Sequence, residues 1–135
     1  MSAPLSLSLV MPTYDEPERL EAALESLSRQ DYPPAASEII VIDDASPQLD
    51  AERLHAALAP FSLRLIRNLY NQGRARARNA ALRVAKGDII IRVDGHCEIP
   101  PDYLEKCITL LENKNVDIVG GIIDTISPGI VGIAI

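Results

Sequence analysis

The chain has 135 residues, of which 47% are hydrophobic and 24% charged. That length and composition fit one globular domain and exclude disordered, collagen-like and coiled-coil chains. The net charge is −6, yet residues 64–92 hold eight of the thirteen bases and a single acid, Asp88, a local charge of +7. This stretch is built to face anions or the carboxylates of the rest of the chain. No apolar run approaches the ~20 residues of a membrane span. The opening Met1-Ser2-Ala3-Pro4 lacks the basic region of a secretory leader. Two cysteines, Cys97 and Cys107, make no disulfide framework and point to a reducing compartment.

The elements alternate along the chain. Leu5 to Met11 reads as a strand, closed by Pro12-Thr13-Tyr14-Asp15-Glu16. Pro17 opens a helix that carries Leu20, Ala23, Leu24 and Leu27 at helical spacing. Glu38 to Ile42 is a second strand, ending in Asp43-Asp44, and Ser46-Pro47 predicts the start of a second helix bearing Leu54, Ala57 and Leu58. Leu63 to Arg67 is a third, shorter strand. Gly73 to Lys86 is rich in Ala and Arg and reads as helix, with Gly87 as its stop. Asp88 to Val93 is a fourth strand, a helix with Leu104, Cys107, Ile108 and Leu111 on one face follows Pro100-Pro101, and Val116 to Ile123 reads as a fifth strand. The near-continuous apolar strands predict an α/β fold, a mostly parallel sheet of about five strands with helices on both faces.

Right-handed crossovers bring the strand C-termini to one edge, where such sheets bind ligands. The strand-end residues there are Pro12 to Glu16, Asp43-Asp44, Asn71 to Arg74, and Asp94-Gly95-His96; the other edge receives Gln30, Pro60 and Lys86-Gly87. Asp94 and His96, two apart, point the same way in an extended segment and suit one divalent cation. The same triplet also suits a turn with a solvated histidine. Asp43 is placed to accept a ligand N–H or to cap the next helix. Tyr14 can stack on a base or cover the sheet edge. Arg74 and Arg78 lie one turn apart near a helix N-terminus, a setting that favours phosphate; a solvated helix face is the alternative. The stretch lacks the interleaved aromatics of nucleic-acid binders. Cys97 could be a nucleophile, but with no Cys–His base arrangement it reads as a buried free thiol. Neither a Gly-x-Gly-x-x-Gly nor a phosphate-loop signature is present.

Four of these segments resemble one family. Val10-Met11-Pro12-Thr13-Tyr14-Asp15-Glu16 is similar to the Pro-Thr-Tyr-Asn-Glu opening of family-two glycosyltransferases of the GT-A fold, and Val41-Ile42-Asp43-Asp44-Ala45-Ser46 to their Val-Asp-Asp-x-Ser. Asn71 to Ala81 resembles their Asn-x-Gly-x-x-x-Ala-Arg-Asn segment, and Asp94-Gly95-His96 stands where they carry Asp-x-Asp. Arg92 to His96 and Val119-Gly120-Gly121 are most similar to the succinoglycan-biosynthesis branch.

The resemblance implies a Rossmann-like half-domain that binds a nucleotide-sugar, a UDP-sugar in the first place. It implies inverting transfer of the sugar to a hydroxyl of a glycan or lipid-linked acceptor in polysaccharide synthesis. Tyr14 would lie against the base, Pro12 and Thr13 would shape its pocket, and Glu16 would lie near the nucleoside. Asp43 would accept the uracil N3–H, and Arg74 and Arg78 would lie near the diphosphate. Asp94 and His96 would hold Mn²⁺ or Mg²⁺. Asp15 and His96 depart from the family's Asn and second Asp; the imidazole nitrogen favours Mn²⁺ over Mg²⁺.

The family's catalytic base and acceptor site follow the fifth strand. The apolar ending Ile130 to Ile135 therefore predicts that residues 1–135 are one GT-A domain without its acceptor half, with Asp124 a poor substitute for the base. The expected location is cytoplasmic, at the inner membrane face, with membrane association supplied by regions outside this chain. Two alternatives are a nucleotide-sugar-binding fragment without transfer and a receiver-like domain. The second is disfavoured because receivers place their acidic pair after the first strand.

Overall fold

The computed structural model describes residues 3–121. Four strands and four α-helices alternate: β1 (Leu7–Thr13), α1 (Pro17–Ser28), β2 (Ser37–Asp43), α2 (Ala51–Leu58), β3 (Leu63–Arg67), α3 (Arg74–Val84), β4 (Ile89–Arg92) and α4 (Tyr103–Lys114), with one 3₁₀ turn at Pro34–Ala36. The strands pair in the order β3-β2-β1-β4, all parallel. The register sets Thr13 beside Asp43 and Asp43 beside Arg67. The last residues of three strands thus end at one level, which places the three loops that follow them on one edge.

Strand side chains alternate between the faces, and the two faces are filled differently. Leu7, Leu9, Met11, Ile39, Val41 and Ile91 join Leu20, Leu24 and Leu27 of α1, Leu54 and Leu58 of α2, and Leu104 and Ile108 of α4 in the main core. On the other face Val10, Ile40 and Ile42 meet Ala77 and Ala81 of α3. The alanines let the α3 backbone lie close to the sheet, carrying its N-terminus to the strand ends.

Two polar devices fix the frame away from those ends. Gln30, buried past the end of α1, donates from Nε2 to the Ser26 and Pro100 carbonyls and accepts the Leu104 N–H. It thereby satisfies an N-terminal amide of α4, a helix whose N-cap residue Asp102 makes no side-chain cap. At the strand N-termini, the Gly87 N–H donates to Ser8 Oγ (2.7 Å), Ser8 Oγ donates to Glu38, and Glu38 accepts the Lys86 N–H (2.6 Å). Among the described residues, no buried side-chain nitrogen or oxygen lacks a partner.

Two expectations are corrected. Residues 116–121 of the fifth strand are not strand: they follow Asn115, whose φ is +49°, and Ile118 is 88% exposed. Among the described residues no strand pairs with them, and a strand without a partner leaves its backbone groups to water. The sheet accordingly has four strands among the described residues. Ile122, Ile123, Asp124 and Ile130 to Ile135 lie outside them. The second helix starts at Ala51 and not at Ser46-Pro47, because the Ser46 side chain is engaged elsewhere and Asp50 takes the cap, accepting the Arg53 N–H.

Gly87 has no room for a side chain: a Cβ there would lie 2.6 Å from Ser8 N and 2.7 Å from Leu7 C, both backbone atoms. Gly87→Ala is expected to cost about 1–3 kcal/mol, read as a lower urea midpoint, because strand β1 cannot move aside without breaking its pairing. An unchanged midpoint would show that the latch at the strand N-termini is not rigid.

Candidate functional site

A cavity of about 470 Å³ opens at the C-terminal edge of the sheet. Pro12, Thr13 and Tyr14 from the end of β1 line one side, with Glu16 and Arg19 at the start of α1. Asn71, Gly73, Arg74 and Ala77 line another, and Asp94, Gly95 and His96 after β4 a third, with Asp44 between them. Of the residues singled out in the sequence, Pro12, Thr13, Tyr14, Glu16, Arg74, Asp94 and His96 thus share one cavity. Asp43 and Arg78 do not line it.

Two adjacent carboxylates build this edge. Asp43 is fully buried, and its Oδ1 accepts from the Ser46 N–H and Ser46 hydroxyl while its Oδ2 accepts from Arg67 Nε at 3.3 Å. The Ser46 Oγ also accepts the Asp15 N–H at 2.8 Å. One hydroxyl thereby ties the β1–α1 loop to the β2–α2 loop. Both loops carry a non-glycine residue in the left-handed region, Asp15 (φ +50°) and Ala45 (φ +72°). Such backbone persists only where its surroundings fix it, and Ser46 does so here.

Asp44 holds the third loop. Its Oδ1 accepts from Asn68 Nδ2 (2.9 Å) and the Gln72 N–H (2.8 Å), and its Oδ2 from the Gly73 N–H (2.9 Å); its own N–H donates to the Thr13 carbonyl. Burial alone would raise this carboxyl, but the bonds from Asn68, Gln72 and Gly73 outweigh it and hold the group below the ordinary carboxylate range. Gly73 has φ +88° and ψ 157°, a conformation that needs glycine, and it starts α3. Arg74 follows. No carboxylate lies within ion-pair distance of Arg74, Arg76, Arg78 or Arg83 among the described residues. The charge of these four arginines is therefore not neutralised by ion pairs among the described residues, although Arg67 and Arg92 of the same stretch are paired with Asp43 and Asp94, and the α3 N-terminus adds its own partial positive charge at the cavity.

Asp94-Gly95-His96 is a turn and not an extended segment: the Cys97 N–H donates to the Asp94 carbonyl at 3.0 Å. Gly95 is pressed on the end of β1, where a Cβ would lie 3.1 Å from the Pro12 carbonyl oxygen and from Thr13 Cβ. The turn nevertheless brings one donor atom each of Asp94, His96 and Cys97 within 4.8 Å of one another. A carboxylate beside an imidazole, open to a cavity that Arg74 also lines, fits a divalent cation shared with an anionic ligand. Glu16 Oε2 lies 3.6 Å from His96 Nδ1, and Arg92 Nη2, at the end of β4, lies 3.4 Å from Asp94 Oδ1. Burial first, and the Asp94 charge second, raise the Cys97 thiol.

Arg19 lines the cavity and Ser46 ties two of its loops together, and spacing singled out neither for the site; Asp44 and Asn71 stood among the strand-end residues without a role of their own. The adjacency Asp43-Asp44 was visible, but not which of the two faces the cavity.

The sequence profile of glycosyl transferase family 2 matches residues 8–134. The chain is similar to the glycosyltransferase AglE of Haloferax volcanii, at 27% identity over 123 residues, 90% of this chain and 40% of AglE. It is similar to Staphylococcus aureus TarS residues 1–349 solved in complex with UDP-GlcNAc, with TM-score 0.76 and 25% identity, over 82% of this chain and 32% of that one. It is also similar to the mannosyltransferase PcManGT of Pyrobaculum calidifontis solved with GDP-Man and Mn²⁺, with TM-score 0.76 and 28% identity, over 85% of this chain and 34% of that one. The chain thus spans 40% or less of the length of each of these proteins.

Because the folded-state Asp44 carboxyl is depressed, its contribution to stability is complete above the ordinary carboxyl value of about 3.9 and is lost as pH falls through the lower folded value. Asp44→Ala is expected to lower stability at pH 7 by about 2–3 kcal/mol. It is also expected to flatten the acid limb of a plot of urea midpoint against pH between 5 and 2. An acid limb identical to the parent's would remove Asp44 from this role.

Proposed function

The chain belongs to glycosyl transferase family 2, and from that premise we propose that its cavity binds the nucleotide-sugar donor of an inverting, metal-assisted transfer to an acceptor hydroxyl. The observation that carries this reading is the convergence of three loops on one cavity, with a carboxylate–imidazole pair facing an unneutralised basic helix start. A nucleoside diphosphate needs a surface for its base, cationic donors for its phosphates and a counter-charge for its departure. The cavity offers each of these in a different wall.

In this reading the base lies against Tyr14, which is half exposed, with Pro12 and Thr13 beneath it. Asp43 accepts the N3–H of uracil, its Oδ2 exchanging the 3.3 Å bond from half-exposed Arg67 for the ligand. Glu16 lies near the nucleoside. The diphosphate lies against Arg74 and the first turn of α3, with Arg78 one turn further along the helix. Asp94 and His96 hold the divalent cation, Mn²⁺ or Mg²⁺, and Glu16 lies beside the imidazole. That cation, when bound, offsets the charge that develops on the leaving diphosphate. Arg74 shares that task, since it already lines the cavity.

The solved relatives with UDP-GlcNAc and with GDP-Man and Mn²⁺ support a nucleotide-sugar and a divalent ion as ligands here. The preference for a UDP-sugar rests on Asp43 as the acceptor of the uracil N3–H. The role in polysaccharide synthesis, and placement in the succinoglycan branch, rest on Arg92 to His96 and Val119 to Gly121. No helix of the described residues is long and apolar enough to cross a membrane. Work at the cytoplasmic membrane face on a glycan or lipid-linked acceptor belongs to the same reading, and its general base must reach the acceptor hydroxyl.

A thermal-shift panel of UDP-, GDP- and dTDP-sugars, each with and without Mn²⁺, tests the assignment. A UDP-sugar at about 100 times its Kd stabilises by about 2.7 kcal/mol, a shift of several degrees for a domain of this size. The shift is expected to shrink without Mn²⁺ and to lose its Mn²⁺ dependence in Asp94→Asn. No stabilisation by any of the sugars would sink the donor site, and undiminished UDP binding by Asp43→Ala would remove that residue's role. Binding without turnover in a transfer assay with UDP-glucose would favour a binding module.

A further inference from the structure

We propose that Asp94, His96 and Cys97 form a three-donor site for a thiophilic divalent cation, Zn²⁺ above all. The inference rests on the donor-site reading only for its consequence, not for its test. A carboxylate oxygen, an imidazole nitrogen and a thiol sulfur lie within 4.8 Å of one another. In a tetrahedral zinc site, bond lengths of about 2.0–2.3 Å put neighbouring donors roughly 3.5 Å apart. Closing the gap takes about an ångström of side-chain motion. His96 is exposed and Asp94 half-buried, so both have the freedom to make it.

The backbone beneath the donors is fixed. The Cys97 N–H to Asp94 carbonyl bond closes the turn, and Gly95 lies tight against Pro12 and Thr13. This rigidity separates the cluster from a chance grouping of surface side chains. Sulfur decides which cation is favoured: thiolate selects Zn²⁺ strongly over Mn²⁺ and Mg²⁺, which take oxygen and nitrogen donors. On binding, the thiol gives up its proton to solvent as the sulfur–metal bond forms. No electron is transferred.

The consequence is a change in what the site can hold. A four-coordinate ion with three protein donors keeps one position for a diphosphate oxygen. An octahedral ion on Asp94 and His96 alone keeps four. Zn²⁺ would therefore compete with the donor's metal and grip the diphosphate at a single point.

The test uses the 135-residue chain without nucleotide, titrated with Co²⁺ as a spectroscopic substitute for Zn²⁺. The expected result is a near-ultraviolet thiolate-to-Co²⁺ charge-transfer absorption that saturates at a single ion per chain and is displaced by Zn²⁺. It is expected to vanish in Cys97→Ser and to survive in Cys107→Ser, whose thiol sits on α4 beside Tyr103. His96→Ala is expected to weaken Co²⁺ binding at least about tenfold, since even partners outside the ligand set are worth 10–100-fold. Absence of the absorption in the parent, or its survival in Cys97→Ser, overturns the proposal. Because no nucleotide is present, either result is independent of the outcome with UDP-sugars.

Discussion

The binding edge depends on one buried carboxylate. Asp44 stands directly after β2, and its three accepted hydrogen bonds reach Asn68, Gln72 and Gly73, the whole of the connection between β3 and α3. Its backbone N–H holds the end of β1. Each of these bonds is modest, but the acceptor is charged and shielded from water, where such bonds are strongest. The position of the α3 N-terminus, and so of Arg74, follows from it. So does the shape of the cavity wall between β1 and α3.

Asp43 and Asp44 divide the work between them. Asp43 turns back toward Ser46 and Arg67 and fixes the β1–α1 and β2–α2 loops; Asp44 turns toward α3. Adjacent strand residues point to opposite faces, so a pair of aspartates at a strand end serves two sets of loops at once. The two left-handed residues, Asp15 and Ala45, sit where this scaffold holds them. The opposite edge of the sheet is organised by the same economy: Glu38 gathers Ser8 and Lys86, and Gln30 gathers Ser26, Pro100 and Leu104. The polar latch at one edge and the cavity at the other are separated by the length of the strands.

Much of this was readable from residue order. The parallel sheet followed from β-branched runs such as Ile39 to Ile42, which are buried on both faces. Pro17 marked the first turn of α1 as the sequence indicated. Strand ends and polar clusters coincide in the sequence, and the cavity lies at that edge. Boundaries were less legible where a side chain had two possible uses. Ser46 reads as a helix cap but binds Asp43 and Asp15, and the cap passes to Asp50. Val116 to Gly121 has the composition of a strand, but composition does not supply a partner. The spacing of Asp94 and His96 suggested an extended pair; a turn closed by Cys97 brings a third donor atom to them. Gln30 gave no signal, since a lone glutamine after a helix is usually solvated and its three partners lie up to 74 residues away.

Gly73 poses a different restriction from the other close-packed glycines. At Gly87 a side chain collides with backbone and at Gly95 it is tight against Pro12 and Thr13, whereas at Gly73 an added Cβ meets nothing within 4 Å. The obstacle there is φ +88°, which is the mirror image of ordinary extended backbone. The position therefore discriminates by handedness and not by volume. A right-handed amino acid would occupy its relaxed extended conformation there, while every encoded chiral residue would pull the Asp44 clasp and the start of α3 out of line. At the one point where the chain turns from its third strand into its basic helix, the fold is written in achiral form.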